Sequence, residues 1–459
     1  MPIANRSLNF PEFRKKYPYF IYDNYFFRLD QDGLTASWEF DLAGEYRFRP
    51  SLFIPRKFCF LRDEEILPHL SNIVFHIGLI ELISYWKTAC PPRLIIRPHG
   101  LEIGALEWWR TLYFHGLGEF FYLNGIETSM EEFMTIETDG KPILPPTEYP
   151  VSDDVLIPVG GGKDSAVTLE LLHTLPGCLP MSVNPNRASL EIIRAGGCNE
   201  DTIIGVNRTL DPLLFELNAK GFLNGHTPFS ALIAFVSFLT ALLSGRRYIA
   251  LSNESSASEA TIPGTQINHQ YSKSLEFETG FRTYMHCYIT PSVEYFSFLR
   301  PLHELQIAQL FSRFNQYHPL FRSCNAGSKA GVWCGTCAKC LFTTLILAPF
   351  LKPERLIAVF GKDLLADPTL IPLLDQLTGI AAEKPFDCVG TIHEVNIALC
   401  DIIRRWQEPE LPVLLQHYLD SPAYTSYSRE DIDSFLRKIS PRHHVPGRFF
   451  SVLKRSMHE

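Results

Sequence analysis

A run of three glycines between two apolar segments constrains the fold of this chain more than any other feature. The glycines at 160–162 directly follow 155–159, an apolar run typical of a buried strand, and Lys163-Asp164-Ser165 then opens a helical pattern over 164–175. Glycines let backbone amides turn inward where a strand ends, and the unpaired amides and dipole of a helix N-terminus favour an anion. The sequence therefore predicts a phosphate-binding loop.

The segments around this loop alternate between short apolar runs and helical patterns. Such alternation is typical of an α/β fold with a doubly wound parallel sheet, in which buried strands are connected by helices. The predicted strands cover 155–159, 179–183, 202–206 and 248–251, and the predicted helices lie near 164–175, 189–195 and 228–243.

The pattern of apolar residues and the proline content divide the chain into three predicted regions. Residues 1–150 are rich in aromatic residues and form an N-terminal α+β module, a candidate for substrate recognition, which ends in a proline-rich linker at 142–150. Residues 151–345 form the α/β domain that carries the loop and ends in a cysteine cluster. Residues 346–459 form a mostly helical C-terminal region.

Within the N-terminal module, alternating apolar residues predict half-buried antiparallel strands at 26–29, 35–40 and 46–49. Apolar residues at helical spacing over 64–86 predict a long helix, and a second apolar stretch surrounds Trp108 and Trp109.

Composition excludes several classes of protein. The 459 residues carry a net charge of −8 and are 46% hydrophobic, which is unlike a disordered chain or a basic nucleic-acid-binding protein. The longest apolar run, 231–243, is well short of the about 20 residues that span a bilayer, and predicts a buried helix. The first sixteen residues lack the apolar run of a secretory signal. We expect a cytoplasmic protein without nucleic-acid or membrane partners.

Four of the eleven cysteines lie close together in the sequence: Cys324, Cys334, Cys337 and Cys340. Four thiolates are the ligand set of a closed tetrahedral zinc site, and nearby glycines let the chain wrap around an ion. An iron–sulfur cluster and four buried cysteines without a metal are the alternatives. The other cysteines are scattered, so a disulfide framework is not expected.

The glycine loop is not a Walker-A loop, because Ile157 and Asp164 occupy positions where that pattern needs glycine and Ser or Thr. It resembles the Ser-Gly-Gly-x-Asp-Ser loop of the PP-loop ATP pyrophosphatase superfamily, with Gly160 in place of the first serine. These enzymes cleave ATP between its α and β phosphates and adenylylate a substrate oxygen. The alternative is a glycine-rich turn capped by Asp164 or Ser165.

The resemblance implies a role for each loop residue. Gly160, Gly161 and Gly162, together with the amides of 163–165, would hold pyrophosphate, the hydroxyl of Ser165 would contact it, and Lys163 and Asp164 would act in catalysis, with Asp164 supporting Mg²⁺. Ligands of open α/β sheets lie at the carboxyl ends of strands, where Asn184, Asn253 and Glu254 are candidates for nucleotide binding. Asn184 fits an ordinary turn residue equally well.

Several less specific sequence segments extend the resemblance from the superfamily to one family. The chain carries the loop Val-Gly-Gly-Gly-Lys-Asp-Ser, the block Asn-His-Gln-Tyr-Ser-Lys-Ser at 268–274 and the segment Trp-Cys-Gly-Thr-Cys-Ala-Lys-Cys at 333–340. With its aromatic N-terminal module, it resembles the bacterial UDP-N-acetylmuramoyl-L-alanyl-L-glutamate epimerase family, MurL, over nearly its whole length. A similar cysteine pattern in the 7-cyano-7-deazaguanine synthase branch implies a structural zinc.

The family resemblance implies an ATP-dependent epimerase in peptidoglycan precursor synthesis. Its small-molecule substrate is UDP-MurNAc-L-Ala-L-Glu, whose terminal L-Glu becomes D-Glu while ATP yields AMP and diphosphate. His269 and Lys273, four residues apart and able to share a helical face, are the candidates for the α-proton base or a carboxylate clamp. His269 alone fits a hydrogen-bonding loop residue as well.

Two other functions fit the same residues. One is a PP-loop amidating or nucleobase-modifying synthase of the 7-cyano-7-deazaguanine synthase type, and the other is a zinc-stabilised ATP-binding regulator without turnover. Formation of AMP only in the presence of a candidate substrate discriminates among the three.

Overall fold

The computed structural model describes residues 9–59, 63–262, 264–324, 326–327, 330–407 and 409–458. Residues 1–8 lie outside this part of the chain. They include half of the N-terminal segment for which no secretory signal is predicted. Within it, no helix combines the length and the apolar character needed to cross a membrane. The apolar run at 231–243 forms most of a buried helix, Phe229–Leu243, as predicted.

The strands of the described residues form one large sheet that contains both parallel and antiparallel pairs. In chain order they are β1 (Tyr19–Leu29), β2 (Gly33–Leu42), β3 (Tyr46–Phe48), β4 (Ser51–Pro55), β5 (Arg93–Ile96), β6 (Thr135–Thr138), β7 (Ser152–Pro158), β8 (Leu179–Val183), β9 (Ile204–Thr209), β10 (Arg246–Leu251) and β11 (Glu294–Ser297). Their order in the sheet is β11-β10-β7-β8-β9-β4-β2-β1-β5-β6, with β3 paired to β2.

Helices follow or separate these strands along most of the chain. They are α1 (Asn9–Lys16), α2 (Asp63–Trp86), α3 (Ile103–Gly116), α4 (Gly118–Leu123), α5 (Lys163–Leu172), α6 (Arg187–Ala195), α7 (Leu213–Ala219), α8 (Phe229–Leu243), α9 (Leu275–Tyr288), α10 (Glu304–Arg313), α11 (Ala338–Leu347), α12 (Pro353–Phe360), α13 (Ile371–Thr378), α14 (Ile392–Arg405), α15 (Val413–Leu419), α16 (Pro422–Tyr427), α17 (Ile432–Leu436) and α18 (Gly447–His458). The predicted α/β class is confirmed, and the C-terminal region is mostly helical.

The pairing of the strands agrees with the predicted parallel sheet only in part. β10 pairs with β7 in parallel, as the alternating pattern predicts. β9 instead pairs antiparallel with β4, with Ser51 opposite Thr209. This pairing joins residues about 150 positions apart in the sequence, and the periodicity of either strand carries no information about such a distant partner.

The chain forms two compact units, each built from several segments. Unit 1 contains Met1–Leu156, Ile204–Ile249 and Gln270–Tyr295. Unit 2 contains Ile157–Ile203, Ala250–His269 and Phe296–Glu459. The division at 150 and 345 into separate domains stays a prediction. The proline-rich segment at 142–150 is neither helix nor strand.

In unit 1, the long helix α2 is buried against the antiparallel strands β1 and β2. Most of its side chains from Leu70 to Ile83 are apolar and buried, so packing on several sides stabilises it. Hydrogen bonds fix it to the strands, because the Tyr22 hydroxyl donates to the Phe75 carbonyl at 3.1 Å and Trp38 Nε1 donates to the Val74 carbonyl at 2.9 Å. The predicted strands at 26–29 and 35–40 lie within β1 and β2.

A buried ion pair links α2 to β9 within unit 1. The Arg208 guanidinium donates two hydrogen bonds of 2.8 Å to the Glu81 carboxylate, and the side chains are only 11% and 1% exposed. This bidentate geometry offsets the cost of removing both charges from water. Neither residue stands in a sequence motif, so this ion pair could not be predicted from the sequence.

In unit 2, α10 packs against α5, and the C-terminal helices continue the core. Helix α14 begins with a capping box in which Thr391 and Glu394 satisfy each other's backbone amides. Glu394 Oε1 also accepts a hydrogen bond of 3.3 Å from the amide of Leu305. The first turn of α10 is therefore anchored by α14.

Because removing one partner of a buried ion pair leaves the other charge uncompensated, we expect Arg208→Ala to lower the free energy of unfolding by about 3–5 kcal/mol. Arg93→Ala is the matched control, since its pair with Glu137 is 2.8 Å long but half-exposed, and we expect a loss of about 0–1 kcal/mol. Denaturant unfolding of both variants measures the difference. Equal losses would contradict the assignment of a stabilising buried pair.

Candidate functional site

The predicted phosphate loop joins β7 to α5, and Gly162 is the N-cap of the helix. Gly161 has a φ of +96°, and a Cβ there would lie 2.8 Å from the backbone nitrogen of Ser189. Only glycine fits this position without a backbone shift. Around Gly160, no described atom lies within 4 Å of where a Cβ would stand. A serine, as in the superfamily pattern, would therefore fit there.

Hydrogen bonds hold the loop in a defined shape. The Ser165 hydroxyl donates to the Gly162 carbonyl at 2.9 Å and accepts from the Gly161 amide at 3.3 Å. The Arg322 amide donates to the Gly161 carbonyl at 2.8 Å. The loop is thus fixed from its own helix and from a distant segment, while the first turn of α5 provides the unpaired amides and positive dipole end that favour an anion.

Lys163 is buried at the start of α5 and lies between two carboxylates. Its Nζ donates to Glu304 Oε2 at 2.6 Å and also to Asp164 Oδ1. Burial disfavours the ammonium, but the charges of Asp164 and Glu304 outweigh burial and hold the pKa of Lys163 above its ordinary value. The Asp164 side chain is 37% exposed, whereas those of Lys163 and Glu304 are 6% exposed.

Glu304, which the sequence analysis missed, completes this cluster. The Glu304 side chain is 6% exposed, and the ammonium of Lys163 at 2.6 Å compensates the burial of its carboxylate. Glu304 opens α10, and an acidic residue in a first helical turn ordinarily indicates only a favourable dipole interaction. The sequence around Glu304 therefore does not indicate that this residue contacts the loop.

The three predicted nucleotide-binding residues all follow strands. Asn184 comes directly after β8, with a φ of +47°. Asn253 follows β10 and donates to the Ser297 hydroxyl at 3.1 Å. Glu254 is buried, accepts a hydrogen bond of 2.9 Å from Ser256, and is near enough to affect the charge of Glu304. Unit 2 therefore brings Lys163, Asp164 and Glu254 together around Glu304.

The predicted helical face shared by His269 and Lys273 is wrong. His269 lies in a turn at the end of a unit 2 segment, and Lys273 lies in a 3₁₀ helix, Tyr271–Lys273, of unit 1. The spacing of four residues is meaningful only on a continuous α-helix, and α9 begins later, with Ser274 as its N-cap. Their predicted chemical roles do not depend on that face.

Within unit 2, His269 is fixed through its backbone and lies near a carboxylate. Its amide donates to the Thr261 hydroxyl at 3.0 Å. Burial raises the pKa of Asp387, while the charges of Lys339 and His269 lower it. An imidazole in the field of a carboxylate is a candidate for a general base.

The four clustered cysteines converge in space. All four sulfurs lie within 4.8 Å of one another, and the shortest separations are 3.5 Å between Cys337 and Cys340 and 3.7 Å between Cys324 and Cys337. Backbone amides donate to two of the sulfurs at 3.3 Å. Hydrogen bonding with Cys340 lowers the pKa of Cys337 to about 5, and a thiolate is the metal-binding form.

This arrangement fits a tetrahedral metal ion. Four sulfurs at about 2.3 Å from a zinc ion would be about 3.8 Å apart, close to the separations in the cluster. The four thiols can therefore bind a metal, and they would fill all four positions of a tetrahedral site. All eleven cysteines lie among the described residues, and none of them forms a disulfide.

The fold and these residues define an α/β protein with a glycine loop at a helix N-terminus and a four-thiol cluster that could bind a metal. Two family models match the chain, the MurL N-terminal domain over residues 12–298 and the MurL C-terminal domain over residues 320–431. The chain belongs to the MurL family, which confirms the resemblance read from the sequence. No solved structure matches the chain.

Three similar proteins are each named UDP-N-acetyl-alpha-D-muramoyl-L-alanyl-L-glutamate epimerase. The protein of Salinispora tropica is 38% identical, over 83% of this chain and 84% of its own. That of Micromonospora sp. is 35% identical, over 92% and 95% of the two chains. That of Xanthomonas oryzae pv. oryzae is 36% identical, over 72% and 75%.

Since the four sulfurs have the spacing of a zinc site, we expect metal analysis to find about one zinc per chain. Cys337→Ser should lose the metal and lower the Tm, because one of four ligands is removed. Cys287→Ser, which changes an exposed cysteine on α9, is the control and should keep both. A metal-free Cys337→Ser protein with unchanged Tm would contradict a structural zinc, and bound iron with sulfide would identify an iron–sulfur cluster instead.

Proposed function

We propose that this chain converts the terminal L-Glu of UDP-MurNAc-L-Ala-L-Glu to D-Glu, using ATP to adenylylate the carboxylate beside the reacting carbon. The observation that carries the proposal is the match to both MurL domain models, together with the shared name of the three relatives. The reaction would serve peptidoglycan precursor synthesis in the cytoplasm.

The need for ATP follows from the chemistry of the α proton. Removing it beside a free carboxylate would place a carbanion next to a negative charge, which is strongly unfavourable. When a carboxylate oxygen attacks the α phosphorus and diphosphate leaves, that negative charge is removed and the carbonyl can accept electrons. A base then takes the proton, a proton returns to the opposite face, and water releases AMP.

The glycine loop is the proposed site of ATP cleavage. The amides at Gly161, Gly162 and the start of α5 would hold the leaving diphosphate, and the Ser165 hydroxyl would add a contact. Lys163, whose ammonium is held between Asp164 and Glu304, would be the cation next to this anion. Asp164 is the loop carboxylate with an exposed side chain, so its oxygens suit Mg²⁺, a hard cation that prefers oxygen ligands.

The other predicted residues complete the proposal. Asn184, Asn253 and Glu254 would contact the nucleotide at the strand ends, and residues 1–150 would recognise the substrate. His269 is the first candidate for the α-proton base, because Asp387 lies near it, and Lys273 is the second. The cysteine cluster would hold a structural zinc, since four thiolates leave no position for substrate.

If the loop binds the leaving diphosphate, Asp164→Asn and Ser165→Ala should reduce AMP formation by roughly a hundredfold, because each removes an interaction with developing charge. Asp153→Asn is the control: it lies on the same strand that leads to the loop, in an exposed pair with Arg247, and should leave the rate unchanged. Product analysis should find AMP and diphosphate. ADP and phosphate would refute α–β cleavage.

Glu304→Gln tests the new member of the cluster. Removing this carboxylate charge leaves Lys163 with Asp164 alone, so we expect AMP formation to fall about tenfold as the ammonium loses its fixed position. The effect should appear in kcat more than in the KM for the UDP-linked substrate. A variant with normal kcat would show that Lys163 does not need Glu304 for this step.

Inversion through a carbanion should introduce solvent hydrogen at the reacting carbon. In D₂O with ATP and UDP-MurNAc-L-Ala-L-Glu, the D-Glu product should carry deuterium at Cα, as measured by mass spectrometry or NMR, and exchange should be negligible without ATP. His269→Asn should abolish exchange but retain AMP formation if His269 is the base.

His417→Asn is the matched control for that variant, because His417 also faces a carboxylate, Asp375, at 2.8 Å in unit 2 but lies on α15. The His417→Asn variant should introduce deuterium at Cα at the same rate as the unmodified protein. If AMP and diphosphate accumulate in the unmodified protein while Cα never takes up deuterium, the protein adenylylates its substrate without epimerising it.

A further inference from the structure

Unit 1 contains a recess at the carboxyl ends of three parallel strands. β5 pairs in parallel with β1 and β6, and the paired residues Tyr22, Ile96 and Thr138 stand where the shared ladder ends. The chain beyond these ends surrounds a cavity of about 410 Å³. Parallel strands place ligands at their carboxyl ends, where loops replace the continuing sheet.

An exposed aromatic side chain lines this recess. β1 continues past Tyr22 without β5 as a neighbour, and Phe26 on that extension is 51% exposed. The polar side chains around it come from β1, α2 and the segments that follow β5 and β6. The lining residues used below are Asn24, Tyr25, Phe26, Ser71, His99 and Lys141.

Contacts hold the walls of the recess in place. The Tyr25 hydroxyl lies 2.5 Å from Ser71 Oγ and 2.8 Å from His99 Nε2. The Gly100 amide donates to the Lys141 carbonyl at 3.1 Å, and a Cβ on Gly100 would lie 2.6 Å from that same oxygen. The segments after β5 and β6 therefore approach as closely as glycine permits, and the site is largely preformed.

The charge of the recess is concentrated on one lysine. Arg97 is compensated, because it donates to Asp23 at 2.7 Å and lies 3.7 Å from Asp139. Burial lowers the pKa of His99, which disfavours its charged imidazolium form. Among the residues that line the cavity, Lys141 supplies the positive charge.

We propose that this recess binds the uridine diphosphate part of the substrate, with the uracil ring on Phe26 and the diphosphate at Lys141. This inference rests on the proposed function. Aromatic side chains stack on bases, and a lysine attracts phosphate as a point charge. Asn24 Oδ1 accepts the Tyr25 amide at 2.9 Å, so the NH₂ is the group of this side chain that could donate to a carbonyl such as those of uracil.

The test is calorimetric titration of the full chain with UDP, in the unmodified protein and in two recess variants. Phe26→Ala should weaken UDP binding at least about fivefold through lost stacking. Lys141→Ala should weaken it and reduce its dependence on salt. Phe215→Ala and Lys220→Ala change an exposed phenylalanine and an exposed lysine at α7 in the same unit, and both should bind UDP normally.

Turnover gives a second measurement. Phe26→Ala should raise the KM for UDP-MurNAc-L-Ala-L-Glu by a similar factor and leave the KM for ATP unchanged. Normal UDP binding by both recess variants, or no UDP binding by the unmodified protein, would overturn the proposal. Weakened ADP binding with normal UDP binding would assign the recess to adenine nucleotides and also overturn it.

Failure of this inference is distinguishable from failure of the proposed function. If the unmodified protein forms D-Glu while the recess variants bind UDP normally, the proposed epimerase function is confirmed and the recess assignment is wrong. If no D-Glu forms but the recess variants lose UDP binding, the recess assignment holds and the reaction is different.

Discussion

The buried ammonium of Lys163 is the charge on which the arrangement of the candidate site depends. A lysine this far from water is stable only when carboxylates compensate its charge and accept its hydrogen bonds. Asp164 supplies one from the same helix, and Glu304 supplies the other from α10. Glu394 of α14 in turn accepts the Leu305 amide. The glycine loop is therefore held by the packing of the helices behind it, and its own hydrogen bonds only complete its shape.

Local patterns allowed much of the fold to be predicted from the sequence. The strand, glycine loop and helix at β7 and α5, the long helix α2 and the cysteine cluster each depend on neighbouring residues, so their spacing is visible in the sequence. Lys163 and Glu304 stand 141 positions apart, and such a contact leaves no periodicity. The same reason explains the antiparallel pairing of β4 with β9. The helical face assigned to His269 and Lys273 failed for another reason, because four-residue spacing cannot distinguish an α-helix from a turn that leads into one.

The cysteine cluster and the glycine loop are connected through a single short segment. The Arg322 amide donates to the Gly161 carbonyl, and Cys324 follows two residues later. A metal bound by the four thiols would fix Cys324. It would thereby also fix the adjacent segment that supports the loop. The cluster can thus influence catalysis without touching a substrate, which agrees with a ligand set that leaves no open position. A loss of metal would then be expected to disturb the loop as well as the stability of the helices.

The proposed reaction places two different demands on the protein. Cleavage of ATP requires donors fixed in advance toward a leaving anion, and the loop satisfies this through Gly161, whose neighbours leave no room for another side chain. Transfer of the α proton requires removal and return on opposite faces of one carbon, so a single rigid donor does not suffice. The candidate base His269 lies in a turn, fixed by its backbone rather than by a helix. In the proposed reaction the adenylylated carboxylate would accept the electrons, so the base would need only access to the proton and a neutral imidazole. We therefore assign the cleavage of ATP to the rigid loop. We assign the transfer of the α proton to the turn that carries His269.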